Sequence, residues 1–341
     1  LGLSNLCTTI LLIIYLCANE YINNISGLTT SLFLIMFIQY YFTQAVALWM
    51  VKERFFYIYK IVVAYTILFS IVSSIFALIA VLYSDDKVFG RIFAVGLSNV
   101  IFGSVIYIYI LNKNKKLLSV KYWKQALKLD IPLIPHYLSM VALQSTDKIL
   151  INNICGSFAV AFYSVAYNVA IIANLMVSSI NASYIPWFYR KMQDKQYDAI
   201  KSNTAKLLVL IGAVIFIPSL FGPEFLYILG GINYVRGADV IPIISLNVYF
   251  IFVYSIFMNY ELYHENSKCI MIASVFAAIF NVILNVKLLP IYGFIISGYV
   301  SLIGYVLLSF FHYKIAIKIH KSINEEIFPF DVKVIVILSI F

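Results

Sequence analysis

The chain has 341 residues, of which 63% are hydrophobic and 11% charged, with a formal net charge of +9. A typical soluble domain carries about 25% charged and about 45–50% apolar residues, so soluble domains of this composition would leave large apolar surfaces facing water, and a soluble enzyme is excluded. Disorder is excluded as well, because 27 Phe and 27 Tyr with few charges are the reverse of a disordered composition.

The apolar residues fall in long blocks with short polar breaks, which makes the bilayer the natural solvent. A helix needs about 20 apolar residues to cross the hydrocarbon core. That ruler predicts ten spans, over 3–18, 28–51, 58–83, 93–111, 127–151, 158–188, 207–229, 238–262, 270–290 and 294–319. An eleventh begins near Phe328 and is cut off at Phe341. Continuous runs of this length are helices; a membrane β-barrel would show ~10-residue alternating segments. The chain opens on Leu1, and its first stretch lacks a leader's basic and small-residue flanks, so it reads as a span and the whole as a fragment of a longer membrane protein. Cys7, Cys17, Cys155 and Cys269 are scattered, which suggests neither a disulfide framework nor a metal site.

Lys and Arg placement orients the spans. With the first connection outside, nineteen of the 24 basic residues fall on the inner connections. The five on the outer side are Lys87, Arg91, Lys148, Arg236 and Lys287. The basic connections are therefore expected in the cytoplasm, and the protein in the bacterial cytoplasmic membrane as a multi-pass protein. The longest basic connection divides the chain into a partial N-terminal bundle of four spans (1–111), a basic cytoplasmic linker (112–126), a C-terminal six-helix bundle (127–320), and a connection with the start of a further span (321–341). The linker carries Lys113, Lys115, Lys116, Lys121 and Lys124, which suit topology or anionic lipid head groups; nothing supports nucleic-acid binding.

Charge inside hydrocarbon is costly, so polar residues within spans are functional candidates. In the fifth span His136, Leu143 and Asp147 share one helical face, with Ser139 beside it and Gln144 following. Pro132 and Pro135 are expected to interrupt this helix and free backbone carbonyls. One reading makes this a pathway helix, with Asp147 or His136 as a proton or cation site and Asp130 as a further ion-coupling candidate. Another takes Asp147 and Lys148 as markers of the outer interface, with Lys148 snorkelling and His136 a packed histidine. The sixth span adds Tyr163, Tyr167, Asn174, Ser178 and Asn181, the eighth Asn247, Tyr254 and Glu261, and the ninth Asn281 and Asn285 at i, i+4. Such residues serve as interhelical glue or, as a set, line a polar lumen. No P-loop, HExxH, GxSxG or paired-carboxylate motif is present, so neither ATP, a cofactor, a metal nor a catalytic site is expected.

Several motifs then occur in order. They are Tyr122-Trp123, the run from Leu129 to Ser139, Asp147-Lys148, Gly156, and the run from Phe162 to Tyr167. Ile185 to Phe188, Tyr234 to Asp239, Ile241 to Ile243, Asn281 to Asn285, Leu289 to Gly293 and Ser297-Gly298 follow. Together they resemble the polysaccharide transporter family, the Wzx-type lipid-linked oligosaccharide flippases of the multidrug/oligosaccharidyl-lipid/polysaccharide superfamily. The resemblance implies an all-α, MATE-like fold of two six-helix bundles around a cavity open alternately to each side, here without the family's first two helices and C-terminal end. It further implies a flippase for polyprenyl-diphosphate-linked repeat units of O-antigen, capsule or exopolysaccharide, driven by an ion gradient. Its partners would be the lipid-linked oligosaccharide, the bilayer and other polysaccharide assembly proteins. Lys148 stands where the family often has Arg; it and Arg91 are the candidates for the diphosphate. The alternatives are a drug or small-solute antiporter of the same superfamily, and a membrane polymerase or acyltransferase.

Overall fold

The structure, a computed structural model, describes residues 1–113, 119–323 and 327–340. In chain order the helices are α1 (Gly2–Cys17), α2 (Asn19–Ser26), α3 (Thr30–Phe55), α4 (Tyr59–Tyr83), α5 (Lys87–Lys113), α6 (Val120–Cys155) and α7 (Ser157–Gln193). They continue with α8 (Tyr197–Leu220), α9 (Gly222–Gly230), a 3-10 helix (Ile232–Val240), α10 (Ile241–Tyr263), α11 (Ser267–Tyr292), α12 (Ile295–Ser322) and α13 (Val332–Ile340). Two of the expected linker lysines, Lys115 and Lys116, lie outside the described residues.

Among the described residues, nine helices are long and apolar enough to cross a membrane, and the protein is a multi-pass membrane protein. The first expected span is present as α1, a 16-residue helix, and departs from a straight crossing only in being followed at an 88° bend by α2, the two together being long and apolar enough for one broken span. At about 1.5 Å per residue α1 falls short of the ~30 Å hydrocarbon core. At the bend the segment after Cys17 is rich in Asn, and Asn23 accepts from the Tyr15 hydroxyl (3.0 Å) and donates to Thr30 Oγ1 (2.8 Å).

The seventh span also differs. It was expected as one run over 207–229, yet α8 starts at Tyr197, ends at Leu220, and gives way to a separate α9. Pro223 sits in the first turn of α9, where its missing N–H costs nothing. Gly222 lets Ile241 approach, since a Cβ there would lie 3.0 Å from Ile241 Cδ1. The third correction concerns Pro132 and Pro135, which do not interrupt their helix: α6 runs unbroken through both.

The chain separates into two compact units, Leu1–Gln125 and Ala126–Phe341. In the first, α5 packs against α3 through small residues. A Cβ at Gly103 would lie 2.6 Å from Phe42 Cβ, and one at Gly96 2.7 Å from Ile35 Cγ2. Small residues let helix backbones approach where lipid supplies no hydrophobic drive to associate. Gly103→Leu should therefore force α3 and α5 apart and destabilise this unit by about 1–3 kcal/mol. The check is thermal unfolding of the purified protein in detergent, and an unchanged midpoint would refute the close contact.

In the second unit, α10 is the most enclosed of the spans. Around it α6, α7, α8, α11 and α12 bury three apolar cores. One holds Tyr184, Phe188, Phe252, Phe257 and Phe330, another Tyr163, Val169, Leu226, Ile241 and Leu289, and the third Met140, Leu143, Tyr254 and Tyr305. The turn from α6 to α7 is made at Gly156, whose φ of 89° a residue with a side chain rarely adopts. Outward-facing Leu175, Val209, Phe216, Ile272 and Phe276 are exposed and suited to lipid.

Candidate functional site

The second unit buries a carboxylate near its centre. Asp147 on α6 is 3% exposed and takes hydrogen bonds from three other helices. Its Oδ2 accepts from the Tyr163 hydroxyl of α7 (2.9 Å) and Ser301 Oγ of α12 (2.6 Å). Its Oδ1 accepts from Asn285 Nδ2 of α11 (2.9 Å).

A second layer holds those donors. Asn285 Nδ2 also donates to Asn281 Oδ1 (3.1 Å), and Asn285 Oδ1 accepts from Ser297 Oγ (2.7 Å). Asn281 Nδ2 in turn donates to Ser301 Oγ (3.1 Å). The local reason is helical spacing: Asn281 with Asn285 and Ser297 with Ser301 are i, i+4 pairs, so each pair presents one face.

No ammonium or guanidinium pairs with Asp147 among the described residues. Lys148, its neighbour in sequence, instead sets its Nζ 3.9 Å from the centre of the Tyr167 ring. The site thus offers one carboxylate surrounded by neutral hydroxyls and amides. A buried charge without a fixed counter-charge is costly, and the cost falls when a cation is taken up. Asn285 turns its Nδ2 rather than its Oδ1 to the carboxylate, so the oxygens able to take up a proton or a hard cation are those of Asp147 itself and of the two hydroxyls beside it.

Asp147 opens onto a narrow cleft lined by Gln144, Tyr163, Tyr167, Asn174, Asn247, Ser301 and Tyr305, with Leu143, Ile171, Ile244, Val248 and Ile251 as its apolar wall. Asn247 is 5% exposed, and its Oδ1 has no hydrogen-bond partner among the described residues.

The structure therefore brings Gln144, Asp147, Tyr167, Asn174 and Asn247 to one cleft, with Asn281 and Asn285 behind the carboxylate. The other candidates stand elsewhere. His136, 2% exposed, bonds Ser274 through Nδ1 (2.8 Å), and Ser139 donates to the Pro135 carbonyl (2.7 Å). Ser178 is exposed, and Asn181 accepts from Asn259 Nδ2 (3.1 Å). Asp130 is exposed on α6, about 25 Å along the helix from Asp147 at its rise per residue. Arg91 belongs to the first unit, where it lines an apolar-walled cavity with Lys87 and Gln39. Sequence reasoning missed Ser301 and Tyr305, and placed Ser297 only in a motif. Their signal was the i, i+4 spacing of small hydroxyls on α12, too common in membrane helices to single out. It also missed His312, which pairs with Glu261 inside the unit (2.8 Å).

Spans that bury a carboxylate among hydroxyl and amide faces define the class: a polytopic helical membrane protein with a polar interior. The profile described as polysaccharide biosynthesis protein matches residues 1–193, more than half of the chain, and the chain belongs to that family. A protein of the Lsg locus of Haemophilus influenzae is 26% identical over 207 residues, covering 58% of this chain. The chain spans about half of that relative, 51% of its length. Among solved structures, the lipid II flippase MurJ in an inward closed conformation superposes with a TM-score of 0.60 at 18% identity, covering 99% of this chain and 74% of that one. A MATE transporter in the bent conformation superposes with a TM-score of 0.65 at 14% identity, over 94% and 77% of the two chains. The fold is that of MATE and MurJ transporters of the MOP superfamily.

Proposed function

We propose that the protein is an ion-coupled flippase that moves a polyprenyl-diphosphate-linked oligosaccharide across the bacterial cytoplasmic membrane. The carrying observation is the Asp147 cluster at the edge of a cleft rich in amides and hydroxyls. Gln144, Asn174 and Asn247 offer sugar hydroxyls both donors and acceptors. Lys148, next to Asp147 in the second unit, is one candidate for the diphosphate and Arg91, in the first unit, is another; the lipid tail stays in the bilayer. Membership of the polysaccharide biosynthesis family supports the substrate class, and a fold shared with a lipid II flippase supports the type of movement.

In this reading Asp147 takes up a proton or sodium ion on one side and releases it on the other as the cleft changes its exposure. The basic connections face the cytoplasm, residues 112–126 link the two bundles there, and other assembly proteins receive the exported unit as O-antigen, capsule or exopolysaccharide. The protein moves its substrate without covalent chemistry.

Deletion of the gene tests this. The expected result is a lipid-linked repeat unit that accumulates in the cytoplasmic leaflet and disappears on complementation. Normal surface polysaccharide in the deletion strain refutes the reading. Altered drug accumulation in its place would transfer the assignment to a drug antiporter.

A further inference from the structure

A second pair of ionisable groups lies inside the same unit, away from Asp147. Glu261 on α10 and His312 on α12 are both 0% exposed, and His312 Nδ1 stands 2.8 Å from Glu261 Oε1. On α12, His312 is eleven residues beyond Ser301, the donor to Asp147, which places the pair about 16 Å further along the helix. We propose that the Glu261–His312 pair is a proton-binding site, separate from the Asp147 cluster, that binds and releases one proton per transport cycle. The proposal deepens the flippase reading by naming the proton as an ion the transporter carries.

The pair's outer atoms separate a carrier from a merely structural bridge. A structural ion pair in the interior needs its remaining polar atoms hydrogen-bonded to offset desolvation. Glu261 Oε2 and His312 Nε2 have no partner among the described residues. With one added proton the pair is a carboxylate facing an imidazolium, with no net charge; without it the pair has a net charge of −1 in an apolar core. Burial favours the neutral form, so the proton stays bound while the pair is enclosed. It leaves to water when a change of conformation wets the site, and the two electrons of the broken N–H bond remain on the imidazole.

The surroundings leave this proton to the pair. Tyr254 of α10 stacks on the His312 ring at 5.6 Å. A titratable group on α6 is His136, whose Nδ1 bonds Ser274 of α11 (2.8 Å). The Ser274 hydroxyl is also within hydrogen-bond distance of the Ile270 carbonyl of its own helix (2.7 Å). The α8 residues of the core around α10 are Leu208, Ile211 and Val214, and Asn181 of α7 accepts from Asn259 of α10 (3.1 Å). Toward the basic loops lie Tyr260 and His264 of α10 and His320 of α12. Toward Asp147, the rings of His312, Tyr254 and Tyr305 form a column, and Tyr305 lines the cleft.

The test reads both partners in the full-length protein in lipid nanodiscs: ring nitrogens of isotope-labelled histidine by NMR, and the carboxyl stretch of isotope-labelled glutamate by infrared. As pH is raised, one proton is expected to leave the pair in a single step. Glu261→Gln is expected to remove that step, Glu261→Asp to keep it, and Asp147→Asn to leave it at the same pH. A pair that holds one protonation state at every pH, or a step that survives Glu261→Gln or is lost in Asp147→Asn, overturns the proposal. No transported substrate is needed, so this outcome is independent of the deletion strain on which the flippase reading depends.

Discussion

Asp147→Asn is expected to cut export by about tenfold or more, equivalent to ~1.4 kcal/mol, and to weaken its dependence on the ion gradient. The geometry supplies the reason. All three groups that reach the carboxylate, Tyr163, Ser301 and Asn285, donate to it. An amide in its place retains one accepting oxygen for Tyr163 and Ser301 but turns its NH2 toward the Asn285 NH2. Asn285 cannot reverse its own amide without losing the bond its Oδ1 takes from Ser297. One donor is left unsatisfied in the core, at a cost of about 1–3 kcal/mol. The variant should therefore unfold at a lower temperature as well as couple less tightly. Complementation of the deletion strain with and without an ionophore measures the first effect, and a thermal melt in detergent the second. Export whose rate and ion dependence match the native protein would remove Asp147 from the mechanism.

Phe188→Ala is expected to destabilise the second unit by about 3–5 kcal/mol, the usual result of emptying an aromatic site in a packed core. Phe188 is 0% exposed, and its ring meets Tyr184 at 5.6 Å, Tyr189 at 6.0 Å and Phe330 at 5.7 Å. Phe330 belongs to the segment leading into α13, so the loss should also loosen that segment against α7. Proteolysis between α12 and α13 should speed up in the variant. Resistance equal to that of the native protein would show that Phe188 does not secure the segment. The site residues on α11 and α12 lie outside this aromatic core, so Phe188→Ala tests the scaffold and Asp147→Asn the chemistry.

Much of the fold was legible because hydropathy is local. A run of apolar residues long enough to cross a bilayer satisfies its backbone only as a helix, whatever its neighbours are. The departures occurred where a few residues outweighed the run: the Asn-rich corner after Cys17, and Phe221 to Pro223 at the end of α8. The two prolines of α6 show the opposite case, a strong local signal overridden because the rest of a long helix holds its course.

The site was legible only in part. Spacing along α6 placed His136, Leu143 and Asp147 on one face, and all three are buried. Asn281 and Asn285 were visible as an i, i+4 pair. What they would bond was not visible. Asn285 lies 138 residues from Asp147, and Ser301 lies 154 residues from it. A lone Ser in an apolar helix looks the same whether it bonds its own backbone, as Ser309 does with the Tyr305 carbonyl, or completes a carboxylate site, as Ser301 does.

By itself, then, the sequence determined that this chain crosses a membrane many times as helices, and which of their faces are polar. Both follow from the energetics of single segments in lipid. Only the tertiary structure decided which polar faces meet: that Asp147 is held by Tyr163, Ser301 and Asn285 rather than by Lys148, and that Glu261 finds His312. Those choices depend on how helices far apart in the chain pack side by side, and no local property of a segment encodes its neighbour.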